Sequence, residues 1–449
     1  MSARRQYWIT ITVALGVMMN PINTTMITVA FSRIQESFGA NFRDVSWLIA
    51  SYYIVSAIAQ PLMGKVSDMV GAKRIYIWGL LLVCLSSMLA PLSASMGELM
   101  AYRTIQAFGT SALHPAGMSL LKYYVSDKQA KALGIVGVFS TFSAAVGPSV
   151  GGILIHYSDW KAIFLVNFPI VALTIALVFW AIPKDSVLFE RKMAAELDYT
   201  GILLFAASMV GWFAFFQNLA DPLYWLLPLN VLSSVWFYRH ESTSTMPFID
   251  IRILRSNRAL GLIYVQYMLV NIILYCILFG LPAFLITSAG LGTGEAGLVM
   301  LAMSAPNLVS LPVMARWVER SGPAYAMLAG AIGSVITLIL FTGVKADTGS
   351  VIICLLLTLF GLSNSAQSFS VQNALYRMVD SRGIGVYSGL LQAFRFIGTI
   401  TSSCVLGLVF GSNVSTQGLH VMALLCAGVA AMTLLVAWMI AHSIGRQPE

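Results

Sequence analysis

Gly64-Lys-Val-Ser-Asp68-Met-Val-Gly71-Ala-Lys73-Arg74 interrupts an apolar stretch, and Ala315-Arg-Trp-Val-Glu319-Arg320-Ser-Gly322-Pro-Ala-Tyr325 does so again. The two breaks align at a constant offset of 251 residues: Gly64 with Ala315, Asp68 with Glu319, Gly71 with Gly322. The turns upstream, Ser37-Phe-Gly39 and Ser288-Ala-Gly290, keep the same offset. A tight turn with an acid at a fixed place, met twice in one register, marks an internal duplication. The flanks show what is duplicated. They are runs of about 20 apolar residues, the length an α-helix needs to cross ~30 Å of hydrocarbon.

Outward from these breaks, fourteen such runs lie at 8–30, 45–63, 75–95, 98–121, 132–155, 162–182, 199–219, 222–238, 260–288, 295–314, 324–344, 350–370, 386–411 and 419–442. Strands of a β-barrel would be about half as long and would alternate polar with apolar. The chain therefore reads as an all-α polytopic membrane protein. Composition agrees: 58% of the 449 residues are apolar and 10% charged, where a soluble protein has about a quarter charged. A soluble enzyme, a disordered chain and a nucleic-acid binder are excluded.

With the N-terminus inside, 20 of the 26 Lys and Arg fall in cytoplasmic breaks; Arg33, Arg43, Lys161 and Lys345 fall outside, and Arg103 and Arg395 within spans. The positive-inside rule then puts both termini in the cytoplasm. The place is the cell membrane, the inner one if the cell has two, and topology accounts for the net charge of +8. The first run is long enough to span and lacks a small-residue cleavage site, so it reads as a span and not a signal peptide. Cys84, Cys276, Cys354, Cys404 and Cys426 all lie in spans without metal-ligand spacing. No metal and no cofactor is expected. The expected division is a six-helix bundle at 1–183, linkers with two extra spans at 184–259, and a second six-helix bundle at 260–449. Duplicated halves of this kind are expected to carry a binding cavity near mid-membrane where they meet.

The Gly64–Arg74 break resembles the G-x-x-x-D-x-x-G-x-K/R signature of the major facilitator superfamily. Asn23-Thr24-Thr25-Met-Ile-Thr-Val-Ala30 in the first span resembles its D-x-T segment. In the fourth span, Arg103-Thr-Ile-Gln106-Ala-Phe-Gly109 resembles R-x-x-Q-G-x-G. Gly147-Pro148-Ser-Val-Gly151-Gly152 in the fifth resembles the G-P-x-x-G-G pattern associated with exporters. Trp160–Pro169 and Leu391–Gly398 are similar too. With the inserted pair, the whole chain resembles the fourteen-helix drug:proton antiporters.

The resemblance implies a cytoplasmic latch at Gly64, Asp68, Gly71 and Lys73, repeated by Glu319 and Gly322, which closes the inside face and releases as the halves rock. Asp68 can meet helix N-terminal amides or Lys73. Met69 and Ala72 stand where the family usually carries basic residues, which implies a weaker latch. Gly147-Pro148 should break its helix, because proline lacks the amide, and with Gly151 and Gly152 should form a bend between the halves that favours export. A solvated turn and a packing kink are the plainer readings.

Arg103 lies well inside its span, and Asn23 reaches a similar depth in the first. The resemblance implies an acid at Asn23, paired with this arginine and carrying a proton. This chain has an amide there, and none of its 18 Asp and Glu lies in the middle of a span. An amide can offer Arg103 its carbonyl but cannot titrate near neutral pH. His114 is the nearest titratable alternative, with a structural histidine beside Pro115 the plainer reading. Glu98 and Asp198 at helix ends are weaker candidates, and the other option is that no proton is carried and substrate gradient or charge drives transport.

Further polar stripes share helix faces: Tyr264, Tyr267, Asn271 and Tyr275 within about 80° of arc, Asn364 with Gln367 and Ser368, Ser388 with Gln392 and Arg395, and Asn20 with Asn23 and Thr24. Such stripes turn from lipid and either line a cavity for an amphipathic ligand or bond helices together. Arg103 and Arg395 without a facing acid favour neutral, zwitterionic or anionic amphiphiles.

The leading reading is an ion-coupled secondary exporter of small amphipathic compounds, of the multidrug-efflux type, working as a monomer by alternating access. Its partners are a small-molecule substrate, the bilayer and protons, with no nucleic acid. The alternatives are a dedicated exporter of an anionic metabolite, siderophore or lipid, and a transport-dead sensor on the same fold. No Walker loop, nucleophile elbow or metal-spaced histidine cluster points to an enzyme.

Overall fold

The computed structural model describes residues 2–40, 42–125, 129–183, 197–217, 224–245, 247–249, 251–252, 257–379, 383–410 and 414–444. Most of the 184–198 linker lies outside these residues, as do Lys128, Lys184, Arg191, Lys192, Arg255, Arg382 and Arg446 of the cytoplasmic charge set, and the side chain of Pro148.

The described residues are helical without strands. The helices are α1 (Ala3–Val17), α2 (Met19–Val29), α3 (Phe31–Phe38), α4 (Phe42–Val70), α5 (Ala72–Leu89), α6 (Met96–Tyr124), α7 (Gln129–Tyr157), α8 (Asn167–Ala181), α9 (Tyr199–Gln217), α10 (Leu226–Thr243), α11 (Arg258–Thr287), α12 (Thr293–Ser321), α13 (Pro323–Phe341), α14 (Ser350–Met378), α15 (Ile384–Phe410) and α16 (Thr416–Ile444). Among the described residues every apolar run of the sequence holds helix. Among the described residues nine are long and apolar enough to cross a membrane unaided.

Two local outcomes differ from expectation. The first span divides at Met18, where Pro21 cannot donate an amide to the carbonyl of Val17. In contrast, α7 continues as helix through Gly147-Pro148. A single missing amide is tolerated in a membrane helix when neighbouring helices support the backbone. The glycines of this motif face α2: a Cβ on Gly147 would lie 2.0 Å from Thr25 Oγ1, and one on Gly151 3.3 Å from Met26 Cα. They form a seam with α2 within the first unit.

The duplication is written into the backbone. Among the described residues positive φ occurs only at Gly39, Gly71, Gly290 and Gly322, two pairs at the 251-residue offset. Gly71 (φ 112°) and Gly322 (φ 80°) each join two helices through a conformation that a side chain would strain. Packing follows the same rule. α6 lies against α4 and α5 as α14 lies against α12 and α13; α8 lies against α1 and α5 as α16 lies against α11 and α13. Gly79 and Gly330, again 251 apart, are the close-approach points: an added Cβ would sit 2.8 Å from the Gly109 carbonyl and 2.6 Å from that of Ser363. Small residues at such points let helices associate in lipid, where hydrophobic burial gives no net drive between them.

Contacts group the described residues into two compact units, 1–202 with 379–393, and 203–378 with 394–449. These contact units are not the same division as the two repeats, since the first turns of α15 group with the first unit. In that unit the end near Gly39 is sealed by a cluster of Ile22, Met26, Leu48, Leu99, Trp160 and Phe164. Trp160 Nε1 donates to Ser37 Oγ at 2.9 Å.

Gly79→Val and Gly330→Val should each lower stability by about 1–3 kcal/mol, the usual penalty of overpacking, seen as a lower Tm in detergent. An unchanged Tm in both variants would rule out these two close approaches.

Candidate functional site

The residues expected to carry function fall partly into polar clusters and partly into separate contacts. The deepest cluster centres on Arg103, which is 1% exposed about two turns into α6. Its Nη1 donates to Gln106 Oε1, one turn along the same helix, and its Cζ lies 4.4 Å from the centre of the Tyr52 ring on α4. Gln106 Nε2 donates onward to Asn23 Oδ1 at 3.1 Å and to Ser87 Oγ at 3.3 Å. The expected direct bond from Arg103 to Asn23 is therefore replaced by a relay through Gln106.

Asn23 is fully engaged. Its Nδ2 donates to Asn167 Oδ1 (2.7 Å) and to the Met19 carbonyl (2.7 Å), while its Oδ1 accepts from Gln106 and from Asn167 Nδ2 (2.9 Å). Asn23 and Asn167 thus form a reciprocal amide pair between α2 and α8, buried at 5% and 1% exposure. Asn167 belongs to the Trp160–Pro169 stretch but was not among the expected site residues. Its sequence signal was an isolated amide opening an apolar span. Tyr52, Ser87 and Thr110 were also missed, because a hydroxyl in an apolar run reads equally well as packing.

Asn20 joins at the edge through Tyr52 Oη (3.3 Å), which shares a 2.7 Å bond with Thr110. Thr24 does not join; its hydroxyl returns to the carbonyls of Asn20 and Pro21.

The second cluster is the latch. Asp68 accepts from the backbone amides of Gly385 and Val386, each at 3.2 Å, at the start of α15, and from Ser119 Oγ at 3.2 Å. A carboxylate at a helix N-terminus meets both unpaired amides and the positive end of the helix dipole. Glycine makes the approach possible: a Cβ on Gly64 would fall 2.1 Å from the Gly385 carbonyl. Lys73 serves elsewhere, its Nζ donating to the Ile182 carbonyl at 2.5 Å beyond the end of α8. Of the repeat's counterparts, Glu319 is exposed and Gly322 forms the matching turn. Close by in the first unit, His114 Nε2 and Gln392 Nε2 are 2.8 Å apart.

The remaining residues lie in the second unit. Gln367 bridges Gln266 (3.0 Å) and Ser334 (2.9 Å), a bond between helices. Tyr264 packs on Phe394 with centroids 5.3 Å apart, and Asn271 Nδ2 returns to the Tyr267 carbonyl. Tyr275 lies against Phe279. Asn364 is half-buried, and Arg395 places its Cζ 4.7 Å from the Phe396 ring centre. Gln266 and Ser334 were not foreseen.

A duplicated helical bundle with a charged, amide-lined centre and an acid holding a helix start defines a membrane carrier. The model of the Major Facilitator Superfamily matches residues 13–403, and the chain belongs to that family. It is 36% identical over 439 residues to the MFS-type transporter YwoD of Bacillus subtilis (strain 168), covering 95% of both chains. It is 25% identical over 415 residues to the tetracenomycin C resistance and export protein of Streptomyces glaucescens, covering 90% of this chain and 75% of that one. Its fold is similar to the crystal structure of the human organic anion transporter MFSD10 (TETRAN), with TM-score 0.68 at 16% identity over 96% and 99% of the two chains.

Asn167→Ala should leave buried amide atoms of Asn23 unpaired, at about 1–3 kcal/mol of lost stability. Asn23→Asp removes both donors, and only the protonated acid restores one of them. Its Tm should therefore lie further below that of the wild type at pH 8 than at pH 6. Equal losses at both pH values would contradict the bonding described.

Proposed function

We propose that this transporter exports small amphipathic compounds from the cell by alternating access, with the multidrug type as the working class. The single observation that carries the reading is the Asp68 contact. A carboxylate holding two amides of α15 is a closure that can be made and released without rearranging a core, which a carrier cycle requires. A charge-assisted bond of this type contributes about 1.5–3 kcal/mol, enough to favour one state and small enough to be offset by substrate binding. The tetracenomycin relative, named for resistance and export, supports the outward direction. The Gly147–Gly152 seam supports it through its likeness to the exporter pattern.

The proposed organisation keeps the two repeats as the moving parts, α9 and α10 as an added pair, both termini in the cytoplasm, and a monomer as the working unit. Tyr264, Tyr267, Asn271 and Tyr275 are proposed to receive the aromatic part of the ligand, with Asn364 adding a polar contact. His114 is proposed as a structural partner of Gln392.

Expression in an efflux-deficient bacterial host should raise resistance to several amphipathic antibiotics and lower their accumulation. Asp68→Asn keeps the shape but loses the charge on the helix start, and should cut efflux at least about tenfold with normal membrane levels. A host with unchanged accumulation of every compound tested would overturn the export reading.

A further inference from the structure

The guanidinium of Arg103 is almost wholly enclosed, yet it is not satisfied. Nη1 bonds to Gln106, the ring of Tyr52 covers one face, and neither Nε nor Nη2 has an acceptor among the described residues. Nε and Nη2 share one edge of the guanidinium, the edge that a two-oxygen anion bridges with parallel bonds. The surrounding amides cannot turn to fill it. Asn23 has its Oδ1 and Nδ2 each bonded twice, and Gln106 Oε1 is already taken by Nη1. The sequence offers no acid in the middle of any span. A fixed positive charge thus sits in a low-dielectric interior with its bidentate edge open, and leaving it so is unfavourable.

We propose that this edge of Arg103 binds the anionic group, a carboxylate, sulfonate or phosphate ester, of an amphipathic substrate, and that the charge so carried couples export to the membrane potential. The proposal rests on the exporter reading above and names its substrate class. The substrate supplies the countercharge that the protein lacks, so the occupied site is neutral and the empty one is not. A cationic drug is opposed by the same charge. The amide pair at Asn23 and Asn167 has no proton to exchange, so movement of one anion outward moves one net charge. An inside-negative potential favours that direction, by about fiftyfold in concentration for each 100 mV.

The test uses the full chain in liposomes with two probes of equal size, 2-naphthalenesulfonate and 2-naphthyltrimethylammonium, under potassium–valinomycin potentials of either sign. Wild type should move the sulfonate at least about tenfold faster than the ammonium, in the direction the potential sets. At zero potential a pH gradient should drive no accumulation. Arg103→Gln should lose the preference to within about twofold. Arg103→Lys, which keeps the charge without the fork, should retain the preference for the anion with weaker binding.

Equal movement of both probes, or a sulfonate preference that survives Arg103→Gln, would overturn the anion site and leave the export reading standing. So would loss of the preference in a well-folded Arg103→Lys. Uphill sulfonate movement driven by a pH gradient alone would overturn the coupling. Movement of neither probe by the wild type would count against the export reading and the inference together.

Discussion

A permanently charged side chain buried among helices is the constraint on which the first unit is organised. Arg103 is 1% exposed, so its helix neighbours must supply most of what solvent would. Gln106 gives a carbonyl one turn away, Tyr52 gives a ring face, and Asn23 and Asn167 hold Gln106 in the orientation that presents its oxygen. Four helices besides α6 are committed to this one group. α2 carries Asn23, α4 carries Tyr52, α5 carries Ser87, and α8 carries Asn167.

The two repeats share their turns but differ in what the turns do. At Gly71 the preceding acid, Asp68, is tied to amides of α15; at Gly322 the corresponding Glu319 is exposed. The second repeat keeps its helices together through a different polar contact, the Gln266–Gln367–Ser334 bridge. A duplicated backbone therefore carries unequal chemistry in its two copies.

Much of the fold was legible because lipid imposes a simple rule: backbone groups must be bonded within the segment, so long apolar runs become helices. Among the described residues each run holds helix, the first divided at Met18, and the offset seen at Gly39, Gly71, Gly290 and Gly322 reappeared as positive φ angles. The site was legible only in part. Arg103 stood out, since a charge within a span is rare, and helix depth placed Asn23 near it. The intermediary role of Gln106 and the pairing with Asn167 depend on side-chain rotamers and on contacts between distant segments, which spacing along one helix does not encode. The same limit explains Pro148: the residue predicts a break, but whether the ladder survives depends on the helices around it.

The unvarying interval between repeats carries a further consequence for how this chain tolerates change in length. From Ser37 to Gly79, and from Ser288 to Gly330, every matched landmark keeps step. One residue added between them would rotate everything downstream on its helix by about 100°. Polar edges would then swing toward acyl chains, and the glycine contacts would be replaced by bulkier neighbours. Insertions and deletions are thus confined to the breaks between spans, and the extra pair α9–α10 sits between the repeats, where lengthening the chain turns neither of them.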